Sequence, residues 1–249
     1  MDSTLWIAAM VAAFVAGTVK GAVGFAMPMI MISTLGSFLP PQIAVAALIL
    51  PTVTSNLLQA LRQGIGPAVA SARAHWRYIA LVAVMILLSA QLVGVLPDRA
   101  LFLMLGIPLT AFALVQLVGW RPRITPRWRR TAETGIALIA GFVGGLSGVW
   151  GPPTVLYLTA LEVPKVDNIR VQGVVYGLGS LTLLAAHLQS GVLNAGTAPL
   201  SALLVAPALA GMFLGFAVQD RLDQDKFRRA TLAVLVIASL NLVRRGLFL

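Results

Sequence analysis

The sequence predicts an all-α polytopic membrane protein: about eight transmembrane helices in two homologous four-helix halves, each half with a broken glycine-rich helix. Three observations predict it. The 249 residues are 59% hydrophobic and only 10% charged, too little charge to cover a soluble domain of this length. Mean hydropathy is +0.92. The charged residues cluster between long apolar stretches, as a chain threading a bilayer requires.

A bilayer core takes about 20 apolar residues per helix, and the chain divides accordingly. The first span runs from Thr4 to about Leu35, too long for one straight crossing and rich in glycine. The second runs from about Ile43 to Leu61, the third from Trp76 to Leu96 and the fourth from Ala100 to Trp120. The fifth, Thr131 to Leu161, is again long and glycine-rich. The sixth is Ile169 to Leu188, the seventh Ala195 to Val218, and the eighth and shortest Arg229 to Val243. Between the halves lies WRPRITPRWRR at 120–130, whose arginines, prolines and tryptophans suit an interfacial loop. The predicted organisation is therefore a first repeat over 1–120, a basic loop over 121–130 and a second repeat over 131–249.

An even number of spans puts both termini on one side. Arg62, Arg73, Arg77, the arginines of the middle loop, Arg244 and Arg245 then share that side. Arg99, Lys165, Arg170, Arg221, Lys226, Arg228 and Arg229 fall on the other. The modest excess on the first side predicts cytoplasmic termini in a plasma (inner) membrane protein. Asp2 precedes the first apolar segment and no basic residue appears before Lys20, so a retained helix is expected there rather than a cleavable signal.

The basic residues behind the net charge of +10 lie in short loops and make no broad patch with interleaved aromatics, which fits membrane lipid as a partner and not nucleic acid. The absence of cysteine excludes disulfides and thiolate chemistry. Two histidines, His75 and His187, do not make a zinc site, and neither a metal nor another cofactor is expected. There is no phosphate-binding G-x-x-x-x-G-K-[ST] loop of a primary pump.

The halves resemble each other. Gly17, Gly21 and Gly24 pair with Gly145, Gly148 and Gly151, Gln63-Gly64-Ile65 with Ser190-Gly191-Val192, and Asp98-Arg99 with Asp220-Arg221. Four full spans per half would make the halves parallel; if each long span is a re-entrant pair, they would be inverted. Glycine at this density, beside Pro28 and the Pro152-Pro153 pair, weakens a helix. Broken helices at membrane depth line cavities or are buried in protein, and a half-helix N-terminus favours an anion.

Lys20 is the one charged side chain well inside an apolar span, and no acidic residue accompanies it in any span interior. An anionic ligand would suit it, and its partner in the sequence repeat, Ser147, offers a hydroxyl. Ser55 and Asn56 in the second span and Ser180 in the sixth offer further neutral donors. His187, near the end of the sixth span, is the candidate for proton coupling. The candidate substrate-binding set is Lys20, Gly17, Gly21, Gly24, Ser55, Asn56, Gly145, Ser147, Gly148, Gly151 and Ser180.

The paired motifs FVAGTVKGAVGFAMP at 14–28 and GFVGGLSGVWGPP at 141–153, with the length and the basic middle loop, resemble the sulfite exporter TauE/SafE family over essentially the whole chain. The first motif departs from the family by carrying Lys20 and lacking a third adjacent glycine. The resemblance implies a secondary transporter of a small anion: sulfite, a sulfonate or a related organosulfur or carboxylate anion. Alternating access would take place at the repeat interface. Other readings stay open: a passive anion channel, a non-transporting membrane subunit of a larger complex, and a homo-oligomer. An enzyme is disfavoured, because no span holds Asp or Glu away from its ends.

Overall fold

The computed structural model describes residues 3–119, 124–162, 165–218 and 223–249, and every regular element among them is helical. In chain order these are α1 (Ser3–Val23), α2 (Met27–Leu35), α3 (Pro41–Leu61), α4 (Ile65–Ala74), α5 (Trp76–Ala90), α6 (Asp98–Val118), α7 (Arg129–Ser147), α8 (Gly151–Ala160), α9 (Lys165–Gln189), α10 (Ala198–Leu203), α11 (Val205–Val218) and α12 (Gln224–Phe248). Short 3₁₀ turns occupy Gln91–Gly94 and Pro126–Trp128. Trp120 to Arg123 of the middle loop, and the Asp220-Arg221 pair, lie outside the described residues.

Among the described residues, seven stretches are long and apolar enough to cross a bilayer: Thr4–Val23, Pro41–Leu61, Trp76–Gly94, Asp98–Val118, Arg170–Gln189, Ala198–Val218 and Lys226–Phe248. Ile7, Val11, Leu88, Ile107, Val234 and Ile237 stand exposed on them, which is what lipid as a solvent allows. The last stretch is longer than the sequence suggested. The span expected at 131–161 is absent from the seven because it divides into α7 and α8, and α7 opens on Arg129, Arg130 and Glu133.

Both overlong glycine-rich segments break. Gly24 (φ +84) and Gly148 (φ +73) take the left-handed conformation that ends a helix at little steric cost. Their N–H groups each donate four residues back, to Lys20 O and Gly144 O at 2.7 Å. The chain restarts with Pro28 at the head of α2 and Pro152 and Pro153 at the head of α8, where the missing N–H has no helical acceptor to lose.

Each restart folds back. At the end of α8, Ala160 O accepts from Ile124 N–H, just ahead of α7, at 3.2 Å, and Tyr157 stacks on Tyr78 at the start of α5 with centroids 4.8 Å apart. The first break lies level with the head of α12, where the Arg228 guanidinium sits over Phe25. Beyond α2, the carbonyls of Gly36 and Leu39 accept from Arg245 at the tail of α12. The segments α1–α2 and α7–α8 are therefore hairpins, and the tips meet: a Cβ placed on Gly148 would lie 3.6 Å from the Pro28 side chain.

The remaining helices follow from close contacts. A Cβ on Gly17 would lie 2.0 Å from Ala208 O and one on Gly21 2.1 Å from Met212 O, so α1 lies backbone to backbone along α11, in parallel. Gly141 and Gly145 seat α7 on Val82 and Ile86 of α5 in the same manner. Small residues permit this approach where lipid gives helices no hydrophobic reason to associate. The helices α3 and α9 run antiparallel through Gly173 and Gly177 against Gln59 and Ala60. So do α6 and α12, through Thr110 Oγ1 donating to Ser239 Oγ at 2.9 Å and Arg228 donating to Gln116 at 3.1 Å.

Two expectations change. Gly24 and Gly148 share the left-handed conformation, and Gly17 and Gly21, like Gly141 and Gly145, seat their helix on a neighbour. These likenesses fall at another spacing than the pairing read off the sequence, which set Gly24 beside Gly151 and Lys20 beside Ser147. The assignment of loops to sides also changes, because each hairpin returns the chain to the face it entered from. The tail with Arg244 and Arg245 lies at the face where α1 begins and α6 starts at Arg99. Arg62, Arg77, Arg170 and Arg228 lie at the opposite face. Among the described residues every lysine and arginine except Lys20, Arg99, Arg244 and Arg245 sits at that opposite face.

Candidate functional site

From that basic face a vestibule of about 890 Å³ descends into the protein. Its wall comes from the last turns of α1, α3, α6 and α11, the first turns of α9 and α12, and the outer face of α8. Arg62, Arg170, Arg228 and Arg229 stand around it, and Lys20 and Gly21 lie at its floor with the hairpin residues Gly24 and Phe25. Beneath Phe25 is an inner pocket of about 30 Å³, lined by Lys20, Phe25, Ala26, Pro28, Met29, Asn56, Gly148, Val149, Trp150, Gly151, Pro152 and Tyr176. That volume holds no more than about two waters. The pocket lies where the two hairpin tips meet and is walled by α3 and α9.

Lys20 is 2% exposed. A lysine buried among apolar helices is costly unless its charge is answered. Here Nζ donates to Ser55 Oγ at 3.0 Å and to Asn56 Oδ1. Both acceptors are neutral, and among the described residues Lys20 has no carboxylate partner. An ammonium carries three N–H donors, so one is left over. Asn56 is itself held by its amide, which donates to Tyr176 O at 3.3 Å across the α3–α9 contact. Tyr176 OH donates to Gly151 O at 3.2 Å. Gln59 Nε2 donates to Gly24 O at 3.1 Å and fixes the first break. One connected set of polar groups thus ties the lysine to both breaks.

The sequence candidates separate on this geometry. Lys20, Asn56, Gly148 and Gly151 meet at the inner pocket, Ser55 is one bond away, and Gly21 and Gly24 line the vestibule. Gly17 and Gly145 lie at helix contacts, against α11 and α5. Ser147 donates to Val143 O at 2.7 Å and accepts from Val149 N–H at 3.2 Å, closing the turn of its own hairpin. Ser180 donates to Gly177 O within α9 at 2.8 Å. His187 lines neither cavity; its Nε2 donates to Gly145 O at 2.9 Å, joining the tail of α9 to α7. Sequence reasoning missed Phe25, Trp150 and Tyr176, because aromatic residues in apolar spans carry no sign of their role. The one available signal was the polar pair Gln59 and Gln116, each near the end of a span.

Paired hairpins meeting at a buried lysine, below a vestibule open at one face, define a polytopic membrane protein with an internal cavity of the kind transport proteins carry. The chain belongs to the sulfite exporter TauE/SafE family, whose model matches residues 9–242. That is a family of membrane transporters. Neither a curated protein nor a solved structure matches the chain.

Proposed function

We propose that the protein is a secondary transporter of a small oxyanion, sulfite or a related sulfonate or carboxylate, which binds against Lys20 at the meeting point of the two hairpins. The observation that carries this reading is the buried lysine with two neutral acceptors and one donor left over. An anion oxygen takes that donor, and the anion supplies the missing countercharge. The head of α8 adds the positive end of a helix dipole on the far side of the pocket.

The halves are an inverted repeat, α1–α6 against α7–α12. Supporting this, α1 packs along α11 as α7 packs along α5, while α3 meets α9 and α6 meets α12 in antiparallel fashion. Two interchangeable hairpins about one pocket give alternating access a structural basis: the conformation described opens at one face, and exchange of the hairpins' roles opens the other. The vestibule face is the cytoplasmic one in this proposal, because the basic residues gather there. The termini then lie on the outer side of the plasma membrane, the reverse of what span counting alone suggested.

Lys20→Met keeps the length and apolar bulk of the side chain while removing the charge. In proteoliposomes loaded with radiolabelled sulfite, and in parallel with taurine-like sulfonates and simple carboxylates, the expected result is a saturable flux in the wild type. The variant should lose it by at least a hundredfold at an unchanged elution volume. Wild-type flux in Lys20→Met would overturn the site assignment.

A further inference from the structure

We propose that Ser201 pins a hinge in α3 at Pro51 and so positions Ser55 and Asn56, the two acceptors that hold Lys20. The use of this hinge in moving a substrate rests on the transport reading above; the pin itself does not.

Pro51 stands in the middle of α3. It has no N–H to donate to the carbonyl four residues back, and its ring crowds that carbonyl, so a proline there bends a helix. The carbonyl is that of Ala47. Its donor comes from a distant part of the chain: Ser201 Oγ, in α10, donates to Ala47 O at 3.2 Å and accepts from Leu50 N–H at 3.0 Å. One hydroxyl thus stands in the hydrogen-bond ladder of α3 and answers two of its backbone groups. Ser201 is fully buried, and a backbone group left unanswered at such a place costs stability. The parts of α3 on either side of this point differ in their surroundings. Ala44 through Ile49 are buried on every side, which fixes the part nearer the face of the termini. Beyond the proline the helix emerges beside the vestibule: Gln59 and Ala60 line it, and Leu58 and Leu61 are exposed.

Ser55 and Asn56 follow Pro51 by about one helical turn, so the bend at the proline sets where they lie. Lys20 is held from another direction. Its helix α1 lies backbone to backbone on α11 at Gly17 and Gly21, and α11 follows directly on α10, which carries Ser201. The pin and the seat of the lysine therefore belong to one spanning stretch, Ala198–Val218. With the hydroxyl in place, α3 is registered against that stretch, and Nζ reaches both Ser55 and Asn56. With the hydroxyl withdrawn, the part of α3 beyond Pro51 swings, together with the part of α9 that Gly173 and Gly177 seat on it. The two acceptors then leave Nζ.

The test combines Ser201→Ala with Pro51→Ala, which restores an N–H to α3 and lets Ala47 O find its donor within the helix. Melting temperatures of the full-length protein in detergent report on the pin. Ser201→Ala should lower the melting temperature by about 5 °C. Adding Pro51→Ala should recover most of that loss, since changes that share a partner do not add. Spin labels on Leu61→Cys and Leu203→Cys, both exposed in a chain with no other thiol, read the hinge without any substrate. The distance between the labels should be narrowly distributed in the otherwise native chain, broad after Ser201→Ala, and narrow again once Pro51→Ala is added. A serine that only fills space leaves the distribution unchanged; that result, or additive losses of melting temperature, overturns the pin. Efflux of radiolabelled sulfite from proteoliposomes reports on the use of the hinge. The double variant, its melting temperature recovered, should still carry sulfite more slowly than the wild type by roughly tenfold or more. Wild-type flux in the double variant overturns the hinge as the moving part. No flux in the wild type itself would sink the transport reading, and the label distances would still decide the pin.

Discussion

At the scale of the residue, the two breaks depend on backbone conformation more than on composition. Gly24 and Gly148 both take a φ near which L-residues with a Cβ pay roughly 1–2 kcal/mol. Their surroundings differ. A Cβ on Gly24 meets nothing within 4 Å, while one on Gly148 would lie 2.8 Å from Leu48 Cδ1. Gly24→Ala should therefore cost about 1 kcal/mol from backbone strain alone. Gly148→Ala should cost about 1 kcal/mol more, because a close-packed side chain must also give way. Denaturation in mild detergent reads the order, and equal losses would mean that the tip of the second hairpin is looser than its contacts imply. The chemistry at Lys20 was legible at this scale: an isolated lysine in an apolar run asks for a partner, and Ser55 and Asn56 were among the residues expected to surround it. Its third donor was not legible, since that depends on which side chains cross from α3.

At the scale of the element, the glycines do two separate jobs that sequence alone does not distinguish. Gly141, Gly144, Gly145, Gly148 and Gly151 recur at helical spacing, so an alignment of the halves can slide by about one turn and lose few matches. That is why the expected register paired Gly24 with Gly151, and why Ser147 was credited with a role its own turn consumes. Only the sign of φ shows which glycine breaks the helix, and only proximity shows which ones seat a neighbour. The seating glycines make the sharper prediction. Gly17→Ala drives a methyl to 2.0 Å from the backbone oxygen of Ala208, and a backbone atom cannot rotate aside. The α1–α11 contact must separate along its length, at a cost of about 3 kcal/mol or more by the standard of overpacked cores. Gly66→Ala, in the exposed helix α4 with nothing within 4 Å, should instead stabilise by up to about 1 kcal/mol through helix propensity. Opposite shifts in melting temperature are the expected outcome; a neutral Gly17→Ala would contradict the close contact.

At the scale of the whole molecule, the direction in which the chain crosses each time decides where its charge lies. Counting spans gave two nearly balanced faces, because a hairpin was counted as one crossing. Once α2 and α8 are seen to double back, the basic residues collect at the vestibule face and leave Arg99, Arg244 and Arg245 on the other. Hydropathy cannot reveal this, since a re-entrant pair and a kinked span have the same composition. The sidedness is open to a direct test because the chain has no cysteine, so any introduced thiol is the only one. Ala195 is exposed in the turn between α9 and α10, at the face of the termini, and Gly66 is exposed at the head of α4, at the vestibule face. In intact cells a membrane-impermeant maleimide should label Ala195→Cys, and label Gly66→Cys only after permeabilisation. The reverse pattern would put the vestibule on the outside and make the described conformation outward-open. Equal labelling of both in intact cells would place the two turns on one side, which the described course of the helices does not permit.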